Sequence, residues 1–126
     1  MPRRHARESA PVEVRYLFSR ECPSHEAGRR LIDTAAEAAG VAVTIDALEV
    51  RTDEEAEAMS FPGSPTYLVD GEDIADPDPL VPHRVEVCRA YELSDGRIGP
   101  LPELSQLADA LRAATARRSP TERVTT

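Results

Sequence analysis

Cys22 and Cys88 are the only thiols in a chain of 126 residues, and His25 stands three places after the first. These residue types offer thiol chemistry. A thiolate attacks disulfides and holds soft ions, and a neutral imidazole nearby either shares its proton or joins it on a metal. The run is Cys22-Pro23-Ser24-His25. Proline there suits a first helical turn, where its missing N–H would be unpaired anyway. A charge at a helix N-terminus gains about 0.3–1 kcal/mol from unpaired N–H groups and the helix dipole. The spacing therefore predicts Cys22 as a reactive thiol, opposed by the charges of Glu21 and Glu26. Two cysteines are too few for a secreted disulfide framework or a four-cysteine zinc site. No motif calls for a cofactor.

The elements that must position these residues follow from hydrophobic period. Val12, Val14, Tyr16 and Phe18 alternate, with Leu17 on the other face, and predict a mostly buried strand. Ala27, Leu31, Ala35 and Ala38 have helical spacing and Gly40 supplies a stop. A second strand is expected from Val41 to about Val50. Thr52 and Glu55 have capping-box spacing, predicting a short acidic helix over 53–59. Thr66 to Val69 reads as a third strand, Asp70-Gly71 as a hairpin turn, and Glu72 to Ile74 as the return. The prolines from Pro77 to Pro82 make a loop, and His83 to Leu93 reads as another extended segment. Pro102 then starts a helix with the stripe Leu104, Leu107, Ala108 and Leu111. Aromatic strand residues, here Tyr16, Phe18, Tyr67 and Tyr91, are expected in the core.

The domain is expected over 12–114, between a flexible basic tail at 1–11 and a flexible tail at 115–126. All fifteen basic residues are arginines, against 23 acids, for a formal net charge of −8. Each tail carries three Arg and one Glu, or +2, which leaves −8 − 4 = −12 for residues 12–112. From Asp46 to Asp78 there are eleven acids and one Arg. Such a stretch repels phosphate, so nucleic acid is not an expected partner. No window approaches the roughly 18 apolar residues of a membrane span, and Met1-Pro2-Arg3-Arg4-His5 leads into no apolar run. A cytoplasmic protein without a membrane partner is expected.

The order β-α-β-α-β-β-α with an inserted segment before the last helix makes an α/β domain, and over roughly 12–112 it resembles the thioredoxin-like superfamily. The resemblance rests on Cys22-Pro23-Ser24-His25 closing a strand and opening a helix, with Ser64-Pro65-Thr66 at the start of the next hairpin. It implies a three-layer fold and a cis bond before Pro65, lying against Cys22. The cis form is accessible chiefly before proline. It further implies that Cys22 and His25 belong to the reacting site, and that Ser64, Pro65 and Thr66 lie along a bound substrate. One departure is plain: His25 replaces the second cysteine of C-x-x-C, so no resolving thiol stands three residues on. Cys88, on the inserted segment with Arg89, is the remaining candidate for that role, and Arg89 for substrate binding. The chain is also similar to small proteins associated with alkylmercury lyases, where two thiolates hold the metal and an acid delivers a proton. That resemblance would give Cys22 and Cys88 the thiol parts and Glu21, Glu26 or Glu86 the acid.

Three readings stay open. The first is a thiol protein acting on a protein or small-molecule thiol or disulfide, with Cys22 attacking and Cys88 resolving. The second is a soft-metal or organomercurial site on Cys22 and Cys88, with or without His25. The third is a non-catalytic module that binds a peptide or small molecule beside Pro65. The separation of the two sulfurs discriminates among them.

Overall fold

A computed structural model describes residues 10–125, with side chains as far as Arg117. Strand β1 (Val12–Phe18) is the centre of a four-stranded mixed sheet. It pairs in parallel with β2 (Val43–Glu49), Val12 opposite Val43 and Phe18 opposite Glu49. On its other edge it pairs antiparallel with β3 (Thr66–Val69), Tyr16 opposite Tyr67. Strand β4 (Glu72–Asp73) closes the order β2-β1-β3-β4. Asp70 and Gly71 turn the β3–β4 hairpin with φ of 49° and 88°, the left-handed pair that a two-residue hairpin demands.

Three helices cover the sheet. In α1 (His25–Ala39), Gly28, Ile32 and Ala35 are buried at spacings of four and three, and Gly40 ends the helix in the left-handed region. α3 (Leu104–Thr125) packs against it, and Leu107, Ala108, Leu111 and Ala114 join Val12, Val14, Tyr16, Tyr67 and Val69 in the main core. The other face of the sheet has a smaller core of Leu17, Val50, Ala56 and Phe61 under α2 (Asp53–Ala58). As the capping spacing predicts, Thr52 Oγ1 accepts from the Glu55 amide at 3.1 Å, while Glu55 reaches back to the Arg51 amide. The molecule is thus a mixed α/β protein with a mixed sheet and three helices. Among the described residues no helix is long and apolar enough to cross a membrane.

The segment 83–93 departs from the extended run expected of it. An extended backbone needs a free edge, and β3 is already paired by β1 on one side and by residues 72–74 on the other. The segment turns at Val85–Glu86, makes one parallel bridge from Cys88 to Ser64, and becomes strand only at β5 (Tyr91–Glu92). β5 pairs with β6 (Ile98–Gly99) in a separate hairpin. α1 starts at His25 rather than at Pro23, with Ser24 as N-cap. The basic tail expected over 1–11 lies outside the described residues except for Ala10 and Pro11. At the other end α3 passes Ala114 and runs to Thr125, with Thr115 Oγ1 donating back to Leu111 O; Thr126 lies outside the described residues.

Candidate functional site

Ser64 is the hub of the site. The bond from Ser64 to Pro65 is cis. The Ser64 hydroxyl accepts from the Ser19 amide at 3.0 Å, which ties the loop after β1 to the loop before β3. The Ser64 N–H donates to Val87 O, and the Arg89 N–H donates to Ser64 O, both at 2.9 Å. Gly63 permits that approach. It sits at φ 128°, and a Cβ there would lie 3.1 Å from backbone atoms of Cys88 and Arg89. Segment 87–89 therefore fills the backbone edge beside the cis-proline, and a peptide pairing with that edge would have to displace it.

The two cysteines meet at this hub. Cys22 is buried, two residues before the N-cap of α1, and its Sγ donates to Ser64 O at 3.7 Å. Cys88 lies across the bridge from Ser64 and is exposed. The charge of Cys22 reaches the Cys88 thiol. Partial burial pushes the Cys88 thiol up first, and the charge of Cys22 and a side-chain hydrogen bond with it push further in the same direction. Both thiols are free. Among the described residues no three His, Cys, Asp or Glu side chains converge as a metal site.

Three tyrosine hydroxyls hold the surrounding backbone. Tyr16 donates to His25 O, Tyr67 to Gly28 O at 2.8 Å, and Tyr91 to Pro65 O. Burial drives all three phenols well above the ordinary range; Cys22 pushes Tyr16 and Tyr67 further up, while Arg29 offsets part of the rise at Tyr16 and Arg89 part of that at Tyr91. Spacing along the chain showed these rings as core and carried no sign of their hydrogen bonds. The partners are 9, 39 and 26 residues away.

The residues expected along a substrate are inside. Ser64, Pro65 and Thr66 are fully buried, and Thr66 Oγ1 donates to Gly63 O at 2.7 Å. The Arg89 guanidinium, 6% exposed, donates to Thr66 Oγ1, Asp73 Oδ2 and Ala75 O and lies 4.8 Å over the Tyr91 ring. It acts as an internal tie between β3, β4 and the inserted segment. His25 is directed elsewhere. Its ring stacks on Phe18 at 5.4 Å and lines a groove with Arg20, Arg29 and Arg30 that contains neither cysteine. Glu21, Glu26 and Glu86 are all exposed.

On the far side of Cys88 opens a cavity of about 560 Å³, bounded by Pro62, Asp76, Asp78, Tyr91, Glu92 and Gln106 among others. Cys88 lies in its wall; Cys22 does not. The site is therefore a dithiol with one buried and one accessible sulfur beside a cavity of small-molecule size. No protein-family model, curated protein or solved structure matches this chain.

Proposed function

We propose that this is a thioredoxin-like thiol protein whose Cys22 and Cys88 form a reversible dithiol–disulfide pair acting on a thiol or disulfide partner. The observation that carries the reading is that two free thiols, 66 residues apart in sequence, both belong to residues held at Ser64, whose carbonyl accepts from the Cys22 thiol and whose backbone bridges Cys88. The strand order β2-β1-β3-β4, helices on both faces and the cis bond before Pro65 support the thioredoxin-like arrangement. Exposure favours the reverse of the roles expected from the sequence, in which Cys22 attacks and Cys88 resolves: here Cys22 is the buried thiol and Cys88 the exposed one. Cys88, the accessible thiol, attacks the partner disulfide, breaking its S–S bond and releasing one sulfur as a thiol while the other forms the mixed disulfide; Cys22 then attacks the Cys88 sulfur, and the second partner sulfur leaves as a thiol. Ser64, Thr66 and Arg89 are positioning residues in this scheme. A free dithiol accords with a reducing, cytoplasmic setting.

The test is equilibration in graded dithiothreitol redox buffers, followed by peptide mapping. A single Cys22–Cys88 disulfide that forms and reverses, and that Cys88→Ser abolishes, is the expected result. Only intermolecular disulfides would sink the reading.

The same pair favours a second reading. Two sulfurs with no third donor converging among the described residues suit a soft ion of low coordination number, such as mercury(II). One equivalent should then bind with release of the two thiol protons, and binding should be lost in Cys88→Ala.

A further inference from the structure

We infer that the natural partner of Cys88 is a small disulfide carrying positive charge. This rests on the dithiol reading above and adds the substrate class. Three carboxylates, Asp76, Asp78 and Glu92, line the cavity that exposes Cys88, and none of them is ion-paired among the described residues. Among the described residues, the one basic residue in the wall is Arg89, whose guanidinium is turned inward onto Asp73, Thr66 and Ala75. The cavity thus presents uncompensated negative charge to whatever reaches the thiol. Pro62, Val81 and Ile98 add apolar surface suited to short methylene chains. Arg20, Arg29 and Arg30 line a separate groove at Phe18 and His25, together with Glu26, and that groove holds no thiol. An anionic disulfide is therefore repelled from the cavity that holds the accessible thiol.

A cation also supplies what Cys88 lacks. Burial and Cys22 hold the Cys88 proton in place, and an ammonium beside the sulfur favours the thiolate. The thiolate attacks one sulfur of the disulfide, the S–S bond breaks, and one aminothiol departs and takes up a proton. Cys22 then loses its proton to solvent and attacks the Cys88 sulfur, releasing the second aminothiol. One small disulfide is reduced to two thiols as the protein dithiol is oxidised to one disulfide.

Three probes of similar size test this: cystamine, bis(2-hydroxyethyl) disulfide and 3,3′-dithiodipropionate, each rate divided by that of the same disulfide with 2-mercaptoethanol. The normalised rate should favour cystamine over dithiodipropionate by about ten-fold at low salt, within the range that local fields produce. The preference should shrink at ~1 M salt, where screening acts within about 3 Å. The variant carrying Asp76→Asn, Asp78→Asn and Glu92→Gln should bring the ratio near unity while leaving both thiols reactive. Equal normalised rates in the unmodified protein, or an unchanged preference in the triple variant, would overturn the inference. Mass spectrometry separates this from failure of the dithiol reading. A charge-selective mixed disulfide on Cys88 that never passes to Cys22 upholds the substrate class and removes the resolving step.

Discussion

Cys88 faces Ser64 across a parallel bridge, and the Ser64 carbonyl that receives the Arg89 amide also receives the Cys22 thiol. Two thiols far apart in sequence are thereby referred to one backbone group. Any change that moves Ser64 relative to either neighbour alters the pair.

The first consequence concerns the Cys88 proton. Burial, the Cys22 charge and the hydrogen bond with Cys22 all favour the neutral form. Cys22→Ala removes the last two and leaves the first. The apparent pKa of Cys88 should fall toward the ordinary thiol value, and its alkylation near neutral pH should quicken. Site-resolved iodoacetamide labelling against pH measures this; an unchanged or higher midpoint would mean the thiols do not interact.

Arg89 supports the hub from behind. Its ion pair with Asp73 is buried, and removing one partner of such a pair typically costs about 3–5 kcal/mol. Arg89→Ala should therefore lower stability by about 3 kcal/mol in urea unfolding. Arg89→Lys keeps the charge but loses the fork that spans Thr66, Asp73 and Ala75, so it should rescue only part.

Alkali should unfold the protein early. Tyr16, Tyr67 and Tyr91 have folded-state pKa values well above the ordinary phenol value, chiefly because they are buried. Their share of stability is fully present below the unfolded value of about 10 and is lost as pH rises above it, since only the unfolded chain then releases the protons. Three phenols give a slope of about 4 kcal/mol per pH unit. Stability measured from pH 9 to 11 should fall gently below pH 10 and approach that slope above it, with tyrosinate absorbance appearing only on unfolding. Tyrosinate in the folded protein at pH 10.5 would contradict it.

Gly28 is where α1 meets the tyrosines. A Cβ there would stand 2.5 Å from the Tyr16 hydroxyl and 2.9 Å from that of Tyr67. Alanine normally stabilises a helix interior by about 1 kcal/mol over glycine. Here Gly28→Ala should destabilise by about 1–3 kcal/mol, because two buried hydroxyls must shift off their carbonyls. In a Tyr16→Phe background the clash is reduced, so the penalty should be smaller. Equal penalties in the two backgrounds would rule out the hydroxyl as its source.

Local signals read well where local chemistry decides the structure. The alternation of β1, the Thr52–Glu55 cap, the Asp70-Gly71 turn and the α3 stripe each place an element without reference to the rest of the chain. The choice of Pro65 for the cis bond is different: the chain has 11 prolines, and the family resemblance is what singles this one out. The inserted segment read poorly because its shape depends on partners. Val85, Val87 and Arg89 alternate like a strand, but the segment makes a single bridge, from Cys88 to Ser64. A usable signal for the β5–β6 hairpin was present in Asp95-Gly96, with Gly96 at φ 88°. The inward turn of Arg89 and the stacking of His25 on Phe18 had no such signal. Each is set by a side chain met only after folding, Asp73 in one case and Phe18 in the other.

Gly63 gives the sharpest test of the geometry. Its φ of 128° suits glycine, and any Cβ would press on Cys88 and Arg89 backbone at 3.1 Å. Gly63→Ala should force segment 87–89 away from Ser64, break the two 2.9 Å bridge bonds and draw Cys88 away from Cys22. Stability should fall by about 1–3 kcal/mol, from the strained backbone and the crowding together. Two further readouts separate a displaced thiol from a merely weakened fold. Under conditions where the variant is still folded, formation of the Cys22–Cys88 disulfide should slow, and the Cys88 pKa should fall toward the ordinary value as Cys22 recedes. A variant that loses stability but keeps both the disulfide rate and the raised pKa would show that the bridge at Ser64 does not set the thiol pair.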